Sequence, residues 1–350
     1  MTMRAVVVGA GYAAEGHTLA LRHTGVDVVA LCGRDQDVVR RVADRLHVPV
    51  ASTDWRATLL EIRPDIVCLA TPAVLRRDVV AEAVELGAHL FCDKPLAASV
   101  AEAEAIVGLV AGTGLRHAYA ATRRYDPSVA WLSDLVQGGN IGKVQRAEVH
   151  VSARLEAPLP FSWVVRLDQG GGLLNNHFPH LASILERVLG GTIRHASGSA
   201  RFDLHEAPVM PRIHDYRDLQ EQANTMDPSQ ATEWLRCDVD TAYEAQLALD
   251  TPSGEVQVHL TSGTRDAPPC LTLVGEQGAL VAHGEISFEV DGHPTPERYR
   301  LPDAGGGLAD RYAALAQSLV ADIENRDHDP YLTFDDGLRY QRFAEAIRGR

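Results

Sequence analysis

The first 120 residues alternate short, strongly hydrophobic runs with stretches in which apolar residues recur every three or four positions. Such runs are typical of strands buried on both faces of a parallel sheet, and the stretches between them are typical of covering helices. The pattern therefore predicts a doubly wound α/β domain. Strands are predicted over 4–8, 27–32, 48–51, 65–70, 89–92 and 115–120, and helices over 13–23, 36–46, 55–61, 75–86 and 100–111.

Beyond residue 122 the pattern changes to longer strands in which apolar and polar positions alternate. Alternation with a period of two is typical of antiparallel strands with one covered face, so this half is predicted to be an α+β domain with a large, mostly antiparallel sheet. Its strands are predicted over 144–152, 241–249, 255–262, 270–274, 278–283 and 286–290, and its helices over 128–137, 179–189, 310–325 and 335–348. Residues 1–122 and 123–350 are thus expected to form two domains.

Residues 203–236 stand apart from both patterns, because they are polar, contain proline and show only weak periodicity. They fall between two predicted strands of the second sheet. Long insertions of this kind are either plain loops or functional lids and arms, and both interpretations stay open here.

The chain of 350 residues has a formal net charge of -14 and contains no run rich in Lys or Arg. Nucleic acids and anionic membranes both require a basic protein surface, so neither is expected as a partner. No stretch approaches the roughly 20 apolar residues of a membrane-spanning helix. A small polar molecule is the expected ligand.

Five cysteines are scattered along the chain without a C-x-x-C pair, and three of them lie in or at the end of apolar strand-like runs. Such thiols usually behave as small buried hydrophobic groups, so no catalytic or metal-binding role is expected for them. The first residues run directly into a strand and show no secretion signal. A cytoplasmic protein is expected.

A glycine-rich turn follows the first predicted strand and opens the first predicted helix. Its pattern, G-x-G-x-x-A, combines a tight turn with close backbone approach to a pyrophosphate, whose negative charge is held at the helix N-terminus. In this context the turn predicts a Rossmann domain that binds a nicotinamide dinucleotide. The residues expected to contact the cofactor here are Gly9, Gly11, Tyr12, Ala13 and Ala14.

The end of the second predicted strand decides the choice between NAD and NADP. NAD-specific sites carry an acidic residue there that binds the ribose 2'-hydroxyl, whereas this chain has Gly33 and Arg34. Arg34 can form a charge-assisted pair with a 2'-phosphate. NADP(H) is therefore favoured over NAD(H), although Asp35 would reverse this preference if it turned inward.

Five motifs in order along the chain resemble those of the Gfo/Idh/MocA family, the sugar and inositol dehydrogenases related to glucose-fructose oxidoreductase. The set is specific, although no single member is. The motifs are G-x-G-x-x-A at Gly9, Leu69-Ala70-Thr71-Pro72, Asp93-Lys94-Pro95, Asn140-Ile141-Gly142-Lys143, and Gly170-Gly171-Gly172 leading to His180.

The resemblance implies hydride transfer between nicotinamide and a carbon that bears a hydroxyl or keto group, with Lys94 and His180 at the substrate oxygen. The hydroxyl proton must leave as the hydride does, and a group with a pKa near neutrality does this best, so His180 is the expected acid and base. The Lys94 ammonium is expected to stabilise the developing alkoxide. The further cofactor contacts expected in these motifs are Thr71, Pro72, Asp93 and Lys94.

The sequence departs from the family where an Asp usually precedes the His by four residues, because Asn176 stands there. An amide cannot ionise, so Asn176 is expected to position the substrate or the Lys94 amine and not to relay protons. Phe178 replaces a small residue and is expected to narrow the pocket. The substrate or its orientation is therefore expected to differ from that of simple polyol dehydrogenases.

Several other residues are candidates for substrate binding. His177 lies three residues before His180, but no neighbouring Cys or acidic residue completes a zinc site, so no metal is expected. For Arg166 a structural salt bridge and a substrate contact are nearly balanced, and for Tyr125 packing is an alternative to binding a hydroxyl. The candidates are Arg124, Tyr125, Trp163, Arg166, Asn176, His177 and His180.

Three functions stay open at this point. The first is an NAD(P)-dependent oxidoreductase acting on a sugar, nucleotide sugar, cyclitol or similar compound. The second is a glycoside hydrolase that uses NAD for transient oxidation, and the third is a cofactor-sensing regulator without catalysis. The presence of both Lys94 and His180 favours an enzyme. The resemblance also implies a homodimer or homotetramer.

Overall fold

The N-terminal part of the computed structural model is a six-stranded parallel sheet in the order β3-β2-β1-β4-β5-β6. The structure describes residues 2–349 except 211, 212, 214, 264–267, 286 and 301–306. All five strand pairs are parallel, and the order reverses between β1 and β4, which leaves a crevice at their carboxyl ends. The strands are β1 Arg4–Val8, β2 Asp27–Cys32, β3 Val50–Ser52, β4 Ile66–Leu69, β5 His89–Asp93 and β6 His117–Ala120.

Helices connect these strands, and three of them begin at a residue whose side chain caps the helix. Asp35, Asp54 and Ser99 each accept hydrogen bonds from backbone N–H groups of the first turn that would otherwise lack partners. These helices are α1 Tyr12–His23, α2 Gln36–Arg45, α3 Trp55–Ile62, α4 Arg76–Glu85 and α5 Val100–Val110. The predicted doubly wound domain is confirmed.

Within the described residues, the second sheet has seven strands in the order β15-β14-β13-β7-β12-β11-β8, and only the pair of β12 with β7 is parallel. This confirms the predicted large, mostly antiparallel sheet. The predicted strand over 286–290 is shorter in the structure, and its first residue lies outside the described residues. The strands are β7 Val144–Val151, β8 Thr192–Arg201, β11 Ala242–Thr251, β12 Gly254–Ser262, β13 Cys270–Gly275, β14 Ala279–His283 and β15 Glu289–Val290.

One strand of this sheet, β8, is missing from the sequence prediction. It lies at the sheet edge and pairs only with β11. Of its hydrophobic side chains only Ile193 and Ala196 are buried, so the alternation that marks a half-buried strand is too weak to recognise. Its place in the sheet depends on partners far along the chain.

Three helices of the second half pack near the sheet or lead toward it: α6 Pro127–Gln137, α7 Leu173–Asn176 and α8 Phe178–Leu189. Helix α8 is buried along nearly its whole length. Its apolar side chains share one core with the inner face of the sheet and with the β4–β5 side of the first sheet. The two halves of the protein therefore meet along a continuous hydrophobic core.

The insertion forms secondary structure of its own. Strands β9 Glu206–Pro208 and β10 Trp234–Arg236 pair as an antiparallel ribbon, and helix α9 Tyr216–Thr225 lies between them. The ribbon packs with Val165 in a small separate core.

The last two helices, α10 Gly307–Ile323 and α11 Phe334–Arg348, return to the first domain. Apolar side chains of α10 pack in the core beneath α1 and β1, whereas α11 lies among α5, α8 and β8. Within the described ranges, no helix is both long and apolar enough to cross a membrane.

Candidate active site

The glycine turn joins β1 to α1 as a tight bend. Gly9 has a φ of +133°, and a Cβ at this position would lie 2.4 Å from the carbonyl oxygen of Ala70. Its backbone N–H donates to the carbonyl of Cys32 at 2.8 Å, which ties the turn to the end of β2. Any residue with a side chain would therefore push the turn away from β4.

The N-terminus of α1 differs from those of α2, α3 and α5 because its N-cap residue has no side chain that could cap it. Gly11 is the N-cap residue, and it has no side chain that accepts from the first turn. The first N–H groups of a helix carry a partial positive charge and require an acceptor. This uncapped terminus fits the pyrophosphate of a dinucleotide, with Tyr12, Ala13 and Ala14 forming the first turn.

The three residues that follow β2, Gly33, Arg34 and Asp35, have different environments. A Cβ on Gly33 would lie 2.9 Å from Val39 and 3.1 Å from Ala10, so no side chain fits at this position. Asp35 accepts the backbone N–H groups of Asp37 and Val38 at 3.0 and 3.1 Å as the cap of α2. Arg34 is exposed to solvent.

Lys94 directly follows β5, at the carboxyl edge of the first sheet. Its peptide bond to Pro95 is cis. The buried guanidinium of Arg76 donates to the carbonyls of Thr71 at 2.8 Å and of Lys94 at 3.4 Å, and also to those of Asp93 and Pro95. Arg76 therefore holds together the two loops that carry the Thr71-Pro72 and Asp93-Lys94 motifs.

Asp93 is held from the opposite side by the C-terminal helix α10. The hydroxyl of Tyr312 donates to Asp93 Oδ1 at 3.0 Å. The ring of Tyr312 packs beside Gly16 and His17 on α1, so the same residue braces the glycine-turn helix. The sequence motif marks Asp93 but not this partner.

The second domain meets Lys94 through Asn176. Lys94 Nζ donates to Asn176 Oδ1 at 3.2 Å, and the Asn176 amide nitrogen donates to the carbonyls of Gly172 at 2.9 Å and Gly170 at 3.2 Å. Gly170 has a φ of +84°, and a Cβ there would lie 2.7 Å from Ala73. The triple glycine thus permits the close approach of the two domains that brings the amide to the amine.

His177 and His180 are buried at the start of α8, and neither is saturated with hydrogen bonds. Both ring nitrogens of His177 and Nδ1 of His180 are without partners among the described residues. Burial, together with the charges of Arg123 and Lys94, lowers the pKa of His177 to about 3 and that of His180 well below its ordinary value. Both imidazoles are therefore neutral at pH 7.

Of Lys94, His177 and His180, Lys94 has the pKa closest to neutrality. Burial lowers its pKa to about 8; the charge of Asp93 opposes the shift, and those of Arg123 and Arg76 reinforce it. Asn176 adds no negative charge to this balance, since an amide is neutral. The Lys94 amine can therefore both take up and release a proton in the physiological range.

The remaining predicted residues lie in different environments. Arg124 donates to the carbonyl of Ser183 at 2.8 Å, which ties the domain junction to α8. The Tyr125 hydroxyl accepts the backbone N–H of Leu332 at 3.3 Å. Arg166 pairs with Asp168 at 2.9 Å. Trp163 is partly exposed in a short 3-10 turn before the triple glycine.

Two residues near the histidines were not among the predicted site residues. Arg123 lowers the pKa of both His177 and Lys94, so its charge acts at the centre of the site. Tyr243 on β11 is buried, its hydroxyl has no partner in the described part of the chain, and its ring packs edge-on against Phe178. Arg123 directly precedes the predicted site residues Arg124 and Tyr125, whereas no local signal marks Tyr243.

A buried polar network supports the segment that carries Asn176. Arg348 near the C-terminus donates to Asp240 Oδ1 at 2.7 Å and to Asn175 Oδ1 at 2.9 Å, and Gln341 donates to the same Asn175 oxygen at 3.1 Å. Asp240 also accepts the backbone N–H of Leu174 at 2.5 Å. The described residues contain no group of three or more His, Cys, Asp or Glu that could hold a metal ion.

Sequence models of one family match both halves of the chain. The model described as "Oxidoreductase family, NAD-binding Rossmann fold" matches residues 3–120, and the "GFO/IDH/MocA C-terminal domain" matches residues 129–281. Glucose-fructose oxidoreductase domain-containing protein 2 of Xenopus laevis is 23% identical over 98% of this chain and 90% of its own length. D-xylose dehydrogenase of Paenarthrobacter nicotinovorans is 27% identical over 46% of this chain and 42% of its own.

A solved structure agrees with the fold over nearly the entire chain. Levoglucosan dehydrogenase in complex with NADH and levoglucosan superposes with a TM-score of 0.75 at 19% identity. The superposition covers 99% of this chain and 96% of that one. At this identity the likeness supports the fold alone.

Proposed function

Because the chain belongs to the Gfo/Idh/MocA family of oxidoreductases, we propose that it interconverts a hydroxyl and a keto group on a sugar, a cyclitol, a nucleotide sugar or a similar small polar compound. The observation that carries this proposal is the contact of Lys94 Nζ with Asn176 Oδ1 at 3.2 Å, beside two buried neutral histidines. The name of the relative D-xylose dehydrogenase supports the same substrate class.

A dinucleotide bound at the carboxyl edge of the first sheet would supply the hydride donor or acceptor. The turn from Gly9 to Ala14 would hold its pyrophosphate, and Gly33 and Arg34 would adjoin its adenosine ribose. Thr71, Pro72, Asp93 and Lys94 line the end at which the second domain approaches.

We assign the proton transfer to Lys94. During oxidation the neutral amine accepts the proton of the substrate hydroxyl, and during reduction the ammonium returns it to the same oxygen. His180 stays neutral and orients that oxygen by a hydrogen bond, while Asn176 holds the amine in place. This reverses the division of roles that the sequence alone favours, because burial moves the pKa of Lys94 to about 8 and that of His180 well below neutrality.

A substrate screen tests the proposed function. Polyols, sugars and keto sugars are incubated with NADP(H) or NAD(H), and the nicotinamide absorbance is followed. A steady absorbance change with a sugar or cyclitol supports a dehydrogenase. Release of a sugar from a glycoside without net absorbance change would instead identify a hydrolase, and dinucleotide binding without any turnover would identify a sensor.

The pH dependence of the reaction follows from Lys94. We expect kcat/KM for oxidation to rise with pH and to level off above a pKa near 8, because only the neutral amine accepts a proton. For reduction, kcat/KM falls above the same pKa, since the ammonium is the donor. In Asn176→Asp a carboxylate beside the ammonium favours the charged form, so the midpoint moves higher by about 1 to 3 pH units.

The matched control is Asn325→Asp, which adds the same charge at an exposed position with positive φ that Asp tolerates. Its pH profile should match that of the wild type. A profile that is flat between pH 6 and 9, or one that Asn176→Asp does not move, contradicts the assignment of the proton to Lys94.

We also propose that NADP(H) is preferred over NAD(H). Asp35 caps α2 with its carboxylate and Gly33 has no room for a side chain, so Arg34 is the charged group free to meet a 2'-phosphate. Arg34→Ala is expected to raise the Kd of NADPH about 10- to 100-fold and to leave the Kd of NADH unchanged. Calorimetric titration measures both, with Arg194→Ala on the exposed edge strand β8 as the control. Tighter binding of NADH by the wild type would refute the preference.

A further inference from the structure

The N-terminal end of helix α9, in the insertion, contacts the start of α1. A Cβ built on Gly11 would lie 3.2 Å from the Cβ of Asp215, the residue that caps α9. The absence of a side chain at the second glycine of this motif is what lets a pyrophosphate approach the backbone. The first turn of α9 therefore occupies the direction from which the pyrophosphate would reach Gly11.

Arg217, in the first turn of α9, carries the positive charge of this contact. Its guanidinium donates to Glu15 Oε2 on α1 at 2.8 Å and to Asp215 Oδ2 at 2.8 and 3.0 Å, and it lies 5.7 Å above the ring of Tyr12. Its side chain is 42% exposed. If this guanidinium exchanged its hydrogen bonds to Glu15 and Asp215, it could bind an anion at Gly11 or Tyr12.

The electrostatics of the two α9 residues have opposite signs. A pyrophosphate at the α1 terminus carries two negative charges, which the Asp215 carboxylate repels and the Arg217 guanidinium attracts. The dipole of α1 draws the anion to the same place. A bound dinucleotide thus competes with Asp215 for the space at Gly11 and for the hydrogen bonds of Arg217.

The base of the insertion is fixed independently of α9. Leu204, Ala207 and Val239 are buried with Val165 in the small core beneath the β9–β10 ribbon. In addition, Asp238 accepts the backbone N–H of Leu167 at 2.8 Å. The described residues of this core include none from α9, and the one buried apolar side chain of α9 that the structure describes, Leu219, lies outside it. The contacts of α9 with Tyr12 and Glu15 are made by the Arg217 guanidinium, so α9 can shift without disturbing this core.

We propose that α9 is a lid of the dinucleotide site, and that Arg217 exchanges its carboxylate partners for the pyrophosphate when the dinucleotide binds. Asp215 opposes this exchange and holds the lid closed on the empty turn. The inference rests on the dinucleotide binding of the proposed function and adds a cofactor-binding residue that comes from the second domain.

Calorimetric titration of the full-length protein with NADPH, NADH and ADP-ribose tests this proposal. Arg217→Gln is expected to raise the Kd of all three about 10-fold or more, because each contains the pyrophosphate and a charge-assisted contact to it is lost. Asp215→Asn keeps the helix cap but removes the charge, and it is expected to lower all three Kd values about 3- to 10-fold. Opposite Kd changes in the two variants would indicate recognition of the pyrophosphate by Arg217. If α9 only packs against α1, both substitutions would shift Kd in the same direction.

Arg45→Gln is the matched control, because Arg45 donates to the same Glu15 oxygen at 2.8 Å but belongs to α2. Its Kd values should equal those of the wild type. The lid proposal is overturned if Arg217→Gln leaves the Kd values unchanged, or if Arg217→Gln and Asp215→Asn shift them in the same direction. In either case, dinucleotide binding by the wild type still supports the proposed function. Absence of dinucleotide binding by the wild type would overturn both.

Discussion

Lys94→Met is expected to lower kcat/KM about 10²- to 10⁴-fold in both reaction directions, which is the usual contribution of a positioned acid or base. Methionine is an unbranched side chain one atom shorter than lysine, and it has no proton to exchange. Because Lys94 is partly buried and, within the described residues, its amine has a single hydrogen bond, to Asn176, the fold should tolerate an apolar replacement. Steady-state kinetics on a substrate from the screen measures the loss.

The chain offers an unusually clean control, since Lys94 and Lys143 are its only lysines. Lys143 is exposed in the loop before β7, and Lys143→Met should retain full activity. With two lysines, ¹³C-methylation and NMR titration can assign each pKa directly, and we expect one near 8 for Lys94. If Lys94→Met kept more than about a tenth of wild-type kcat/KM, another group would have to move the proton.

Arg348→Met is expected to lower the free energy of unfolding by about 3 to 5 kcal/mol, because it leaves the Asp240 carboxylate buried without its cation. The two side chains are 2% and 0% exposed and lie 2.7 Å apart. Urea denaturation monitored by circular dichroism measures the change. Arg194→Met, which breaks an exposed pair with Asp250 at 3.1 Å, should cost less than about 1 kcal/mol.

The same substitution connects stability to activity. Arg348 also binds Asn175, and Asp240 binds the backbone at Leu174, so both partners brace the segment that presents Asn176 to Lys94. We therefore expect Arg348→Met to lower kcat at temperatures where the protein is still folded. Equal stability losses in Arg348→Met and Arg194→Met would show that the buried network does not anchor this segment.

Much of the fold follows from local patterns in the sequence. Short apolar runs separated by amphipathic stretches predicted all six strands of the first sheet, and the alternation after residue 122 predicted most of the second. The elements that the sequence did not predict lie in segments with weak periodicity. Strand β8 buries too few apolar residues to be recognised, and α9 is a polar helix whose contacts lie on α1, about 200 residues away in sequence. A pattern reports local periodicity, whereas these elements form against distant partners.

The candidate site divides in the same way. Motifs identified Lys94, His180 and the glycine turn, because the chemistry of these sites requires particular residue types at short, fixed spacings. The motif around residue 176 also revealed the missing carboxylate. Arg123 and Arg124 are neighbours in one short turn, and their roles depend on the direction that each side chain takes. The charge of Arg123 acts on the histidines, whereas Arg124 binds α8. The sequence favoured Arg124 over Arg123 as a site residue.

What the sequence by itself determined is the family, the two sheets, the glycine turn and the set of candidate site residues, since each is encoded by residues close together in the chain. The tertiary structure decided the properties that depend on burial and on distant neighbours. Lys94 meets Asn176 from 82 residues away. Burial and the surrounding charges then place the pKa of Lys94 near neutrality and keep the histidines uncharged. These values depend on packing, because the cost of a charge is set by the solvent and groups around it.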